Sequence, residues 1–185
     1  MDKIIDHIYI SDWNSSNDIN LLEKNNIKAV ITVEMLNKPE YILNYYRNNG
    51  IDFMQCRLYD HPDENIYKYF DITSYFIDTH AKQKKNVLIH CFAGISRSSA
   101  IIINYIGRMM YNTTTPSDYI YDFMTYNYSS SRFIYNYKYN KCQPAICVIN
   151  YILNLMKNRR TIVMPNIGFL KQLIAKFEEY KLMCK

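Results

Sequence analysis

Glycine is scarce here: the 185 residues contain four, against abundant asparagine, isoleucine, lysine and 19 tyrosines. That bias is the one expected of an AT-rich genome, such as that of a large DNA virus or an AT-rich microbe. No apolar run approaches the roughly twenty residues that a membrane span needs. The opening Met-Asp-Lys-Ile-Ile-Asp also lacks the apolar stretch of a signal peptide. These absences point to an intracellular, cytoplasmic protein without a membrane partner (in host cytoplasm or a virion if the source is viral). Cysteine is sparse and odd in number: Cys56, Cys91, Cys142, Cys147 and Cys184. In a chain this long that pattern fits free thiols in a reducing compartment. Nothing has metal-ligand spacing, so neither a metal nor any other cofactor is expected. The net charge of +5 is modest, and the lysines scatter, apart from Lys82, Lys84 and Lys85. A solvated face fits this better than a nucleic-acid groove, and no nucleic-acid partner is expected. With 49% hydrophobic and 21% charged residues, the chain reads as one globular domain, 1–185, with no room for a second catalytic domain.

What the sequence does have is His90-Cys91-Phe92-Ala93-Gly94-Ile95-Ser96-Arg97-Ser98. Upstream, Asn86 to His90 carries Val87, Leu88 and Ile89, the pattern of a strand buried on both faces. Downstream, Ile101, Ile102, Tyr105, Ile106 and Met109 recur at helical spacing. The loop therefore joins the carboxyl end of a strand to the amino end of a helix. Unpaired N–H groups and the helix dipole favour a phosphate there. Successive amides in such a turn form an anion nest, and Gly94 supplies backbone freedom. Arg97 has a planar fork able to hold two phosphate oxygens. The same positive field stabilises Cys91 as a thiolate nucleophile. Alone, Cys91 would read as a small core hydrophobe; the arginine, glycine and helix start beside it reverse that reading.

Attack of Cys91 on phosphorus gives a cysteinyl-phosphate that water must hydrolyse, with a separate acid for the leaving oxygen. Asp60 is the candidate acid, in a polar loop between a strand-like run, Ile51 to Leu58, and a helix-like run, Ile66 to Gln83. Asp63 and Glu64 compete with it on the same loop. Ser98 can donate to the Cys91 sulfur and ease its departure. His90 reads as a residue that orients the loop.

These residues resemble the dual-specificity phosphatases of the cysteine-dependent protein tyrosine phosphatase superfamily, whose signature is His-Cys-x-x-Gly-x-x-Arg-Ser/Thr. The resemblance covers most of the chain. Asp60, Ile66, Tyr69-Phe70 and Phe76-Ile77-Asp78 look like the family's acid loop and the helix before its catalytic strand, which maps the acid to Asp60 and not Asp63. Arg160, Pro165-Asn166, Gly168-Phe169-Leu170, Gln172-Leu173 and Phe177-Glu178 are similar to its closing segment, with Thr161 where proline is usual. The resemblance implies an α/β fold, a central, mostly parallel sheet of about five strands flanked by helices. It makes Cys91, Arg97, Asp60 and Ser98 catalytic, lines the phosphate site with Phe92, Ala93, Gly94, Ile95, Ser96 and Arg97, and adds His90, Arg160 and Asn166 as supporting residues. It also implies phosphoprotein substrates and action on both phosphotyrosine and phosphoserine or phosphothreonine.

One stretch departs from the family. About thirty residues, 112–143, stand where the family has a short connection, and they carry Tyr119, Tyr121, Tyr126, Tyr128, Tyr135, Tyr137 and Tyr139. Alternatively, Ser117 to Tyr128 is the family's own helix and the insertion lies later. The rings read equally as caps on the core or as a homodimer or partner surface. Rival functions are an RNA 5′-phosphatase using the same loop, which would want a more basic cleft, and a phospho-binding scaffold without turnover. Arg159 and Arg160 could hold a second phosphate or an acidic flank of the substrate; a solvated helix end is the plainer reading.

Overall fold

The computed structural model describes residues 1–112 and 144–183. The tyrosine-rich segment beyond Asn112, its boundaries and its surface, and also Cys142 and Cys184, lie outside the described residues. Five strands form one sheet: β1 (Asp2–Ile5), β2 (Ile8–Ser11), β3 (Ile27–Val33), β4 (Asp52–Cys56) and β5 (Asn86–His90), in the order β1-β2-β5-β3-β4. β1 runs antiparallel to β2, while the β2–β5, β3–β5 and β3–β4 pairs are parallel. This is the mostly parallel five-stranded sheet that the family resemblance implies. β3, Ile-Lys-Ala-Val-Ile-Thr-Val, is rich in the β-branched residues that pack well on a pleated surface.

Seven helices are present among the described residues: α1 (Trp13–Ser16), α2 (Ile19–Lys24), α3 (Glu40–Asn48), α4 (Tyr67–Ala81), α5 (Arg97–Asn112), α6 (Ala145–Lys157) and α7 (Ile167–Met183). Helices cover both faces, as buried parallel strands require. Ile8, Ile10, Ala29, Ile31, Val33, Val87, Ile89 and Cys91 belong to the larger core, together with Phe70, Ile101, Ile102, Val148, Phe169 and Phe177 from α4, α5, α6 and α7. Val30 and Leu88 belong to a smaller core with Leu22, Ile42 and Tyr46 from α2 and α3. Full burial stabilises each such aliphatic or aromatic side chain by about 1.5–3 kcal/mol. The two sets alternate along β5, because successive side chains of a strand point to opposite faces. That alternation continues past the strand end and orients the site.

Candidate active site

Cys91 follows the last residue of β5. On the face of Val87 and Ile89, its side chain lies under α5 and is 1% exposed. His90 takes the opposite face, where its ring lies 5.9 Å from that of Trp13 in α1. His90 Nδ1–H faces the Cys91 carbonyl oxygen at 3.2 Å, which leaves Nε2 to accept from the Thr32 hydroxyl at 2.6 Å. Burial, and then the nearby Lys38 charge, hold its pKa well below the ordinary 6.5, against the pull of the Cys91 carbonyl. His90 is thus a neutral strut between β3 and the loop.

The loop Phe92–Ser96 curls between β5 and α5, whose first residue is Arg97. Gly94 has φ +65°, and a Cβ there would come within 2.5 Å of the Ser11 carbonyl oxygen. Backbone and space both demand glycine. Arg160 fixes the outside of the turn: Nε donates to the Gly94 carbonyl at 2.9 Å, Nη2 to the Ala93 carbonyl at 3.1 Å, and Nη1 pairs with Asp2 at 2.7 Å. With these partners and 12% side-chain exposure, Arg160 braces the loop. The sequence left a second-phosphate contact and a solvated helix end open for Arg160 beside its supporting role; here all three of its guanidinium nitrogens are engaged within the fold.

Arg97 is buried. Its Nη1 lies 2.7 Å from Glu34 Oε2 and donates to the Leu58 carbonyl at 3.1 Å. Its Nε, 3.8 Å from Asp60 Oδ2, is buried and has no hydrogen-bond partner among the described residues. A buried guanidinium donor left open beside a strand-to-helix turn is what an oxyanion would complete. Ser98 Oγ sits 3.2 Å from Cys91 Sγ, placed to donate to an ionised sulfur.

Asp60 reaches the cradle from the loop after β4. Its Oδ1 accepts from Ser96 Oγ at 2.6 Å and from Asn166 Nδ2 at 2.8 Å, so Oδ2 remains for a proton. Ser96 Oγ also accepts from Asn166 N–H at 3.1 Å, and Met164 N–H donates to the Ile95 carbonyl at 2.9 Å. The segment before α7 thereby fastens the acid loop to the phosphate loop. Asp63 is 93% exposed and faces His61; the structure brings Asp60, not Asp63, to the cradle.

Sequence reasoning missed Glu34, Thr32, Trp13 and the bridging role of Ser96. Glu34 had one signal, an acidic residue closing the apolar run of β3. Cys56 is no partner for Cys91 in a disulfide. β3 separates the two strand ends, since Val33 pairs with Cys56 and Thr32 with His90. Two interstrand spacings, about 9–10 Å, exceed disulfide reach. Burial also pushes the Cys56 thiol up to about 12. Among the described residues no cluster of side chains could hold a metal ion, and no helix is long and apolar enough to cross a membrane.

Comparison with known proteins agrees with this geometry. Residues 8–179 match the family model of the dual specificity phosphatase catalytic domain. A protein of Amsacta moorei entomopoxvirus named as a tyrosine-protein phosphatase is 48% identical over 86 residues, 46% of this chain and 51% of that protein. Protein phosphatase Slingshot of Drosophila melanogaster is 34% identical over 104 residues, 56% of this chain and 9% of that protein. The chain therefore spans about half or less of the length of these two relatives. In fold it is similar to human DUSP28, with a TM-score of 0.72 at 13% identity over 99% of both chains. It is also similar to DUSP15, with a TM-score of 0.67 at 22% identity over 98% of this chain and 92% of the other.

Proposed function

The chain belongs to the dual specificity phosphatase catalytic domain family, and from that premise we propose that it hydrolyses phosphotyrosine and phosphoserine or phosphothreonine in proteins through a cysteinyl-phosphate. One observation carries the reading. A buried cysteine and the buried arginine Nε that lacks a hydrogen bond share a loop whose mouth holds a carboxylate, one oxygen of which makes no hydrogen bond and faces that Nε at 3.8 Å. The loop amides and Arg97 bind the phosphate dianion. The Cys91 thiolate attacks phosphorus as the bond to the leaving oxygen breaks, and Asp60 Oδ2 gives that oxygen a proton. Water then attacks the phosphocysteine and passes its proton back to Asp60. The S–P bond breaks, Ser98 donates to the departing sulfur, and inorganic phosphate leaves. His90, Arg160 and Asn166 act on the loop, not on the substrate.

The Arg160 bonds to Asp2 and to the loop carbonyls favour singly phosphorylated residues over substrates whose second phosphate would need that cation. The test is rapid acid quench of para-nitrophenyl phosphate turnover, with mass spectrometry of the Cys91 peptide. A phosphoryl adduct on Cys91 in the wild type, and neither adduct nor turnover in Cys91→Ser, is the expected result. Turnover by Cys91→Ser at the wild-type rate would overturn the reading.

A further inference from the structure

The segment Ser11–Asn17 forms the outer wall of the phosphate loop. The Ser11 carbonyl fills the space beside Gly94. Trp13 N–H donates to the Phe92 carbonyl at 2.9 Å, and the Trp13 ring packs on His90. Asp12 Oδ2 lies 3.8 Å from Arg160 Nη2, on the side chain that holds the Ala93 and Gly94 carbonyls. One buried cation grips this wall from behind. Lys38, on the connection between β3 and α3 and only 4% exposed, donates to Ser16 Oγ at 2.7 Å, to Asn17 Oδ1 at 2.7 Å and to the Ser16 carbonyl at 3.3 Å. Its Nζ also stands 4.8 Å from the centre of the Trp13 ring.

Stability alone does not account for a lysine there. Burying an ammonium costs several kcal/mol before its partners repay it, and a well-packed apolar side chain is often as stabilising. Burial by itself pushes this amine down to about 7. Three oxygen acceptors match the three donors of the protonated form, and the indole face favours it too. What the ammonium supplies is direction: three bonds and a ring contact to one short turn. The same connection carries Glu34, which holds Arg97. Residues 34–38 therefore reach the phosphate loop at both ends, at its arginine directly and at its cysteine end through Trp13.

We propose that Lys38 is a positioning residue for the phosphate loop, acting through Trp13 and the Ser11–Asn17 wall on Phe92, Gly94 and His90. The inference rests on the phosphatase reading, because the loop it positions is the one assigned to phosphate. The test compares wild type, Lys38→Met, Lys38→Arg and Ser16→Ala in the full chain, well below their melting temperatures. It measures para-nitrophenyl phosphate kinetics, orthovanadate inhibition and the dependence of rate on leaving group. Displacing the loop amides in Lys38→Met lowers kcat/KM about tenfold and raises the vanadate inhibition constant about tenfold, on the scale expected when reacting groups shift by a fraction of an ångström. The leaving-group dependence stays that of the wild type, since Asp60 is held by Ser96 and Asn166 at the opposite end of the loop from Trp13, and Lys38→Arg recovers most of the loss. Ser16→Ala, which deletes one of the three acceptors, shows a smaller change in the same direction, and it decides the matter if Lys38→Met does not fold. A lowered melting temperature with wild-type kcat/KM and vanadate inhibition in the folded variants would overturn the proposal. Absence of turnover by wild type would instead overturn the phosphatase reading beneath it.

Discussion

Asp60 makes both of its close bonds through one oxygen, and this asymmetry can be tested. With Oδ1 occupied by Ser96 and Asn166, proton delivery falls to Oδ2. In Asp60→Asn the amide can still orient but cannot donate a proton of carboxylic acidity. Turnover of an alkyl phosphate should fall by about 10²- to 10⁴-fold, and that of para-nitrophenyl phosphate by less, because a good leaving group asks little of the acid. A parallel loss in Asp63→Asn would displace Asp60 from its role. Gly94 offers a second prediction at this scale. A methyl group at φ +65° would collide with the Ser11 carbonyl, so Gly94→Ala must shift the wall or unwind the turn. Vanadate affinity and kcat/KM should both fall by at least about tenfold. A Gly94→Ala enzyme with wild-type inhibition would show that the curvature of the loop is not what binds the anion.

At the scale of the element, the strand–loop–helix unit was the most legible part of the chain. Its apolar runs differ in period, and its polar signature lies between them. The strand and helix appear as read, with α5 starting at Arg97. What approaches the unit from outside was not legible. Arg160 touches Asp2 across a sequence separation of 158 residues, and Lys38 and Trp13 meet only because parallel crossovers bring α1 beside the end of β3. No local period encodes such encounters, so the bonds by which Arg160 braces the loop could not be read from the sequence around it. His90 shows how an element end senses pH. In the unfolded chain it titrates near 6.5, whereas in the fold its pKa lies well below. Between these values the unfolded state binds a proton that the native state refuses. The stability from His90 is therefore complete above pH 6.5 and is lost as pH falls below it. Urea unfolding at pH 7.5 and 5.5 should show a larger acid loss for wild type than for His90→Asn; equal losses would remove His90 as the cause.

At the scale of the whole molecule, α5 joins the site to the larger core, and its packing against α7 can be perturbed without touching the cradle. Gly107 lies on the α7 side of α5, where a Cβ would stand 1.9 Å from the Phe177 ring. Phe177 is fully buried and lies edge-on to Tyr111, with Tyr180 beside it. The ring occupies the space that a side chain at 107 would need, which sets how closely the two helices approach. Gly107→Ala improves helix propensity by about 1 kcal/mol, yet it forces the aromatic cluster outward, an overpacking that costs typically about 1–3 kcal/mol. The clash is with a ring hemmed in by neighbours, not with the free end of a flexible chain, so the cost should win. The expected result is a lowered urea midpoint with an unchanged m-value. In the cold, vanadate inhibition should match the wild type, since Gly107 lies ten residues along α5 from Arg97. Restoring the midpoint with Phe177→Leu on the Gly107→Ala background, where a smaller side chain makes room for the methyl group, would assign the loss to that contact. No restoration would place the cost in the backbone of α5.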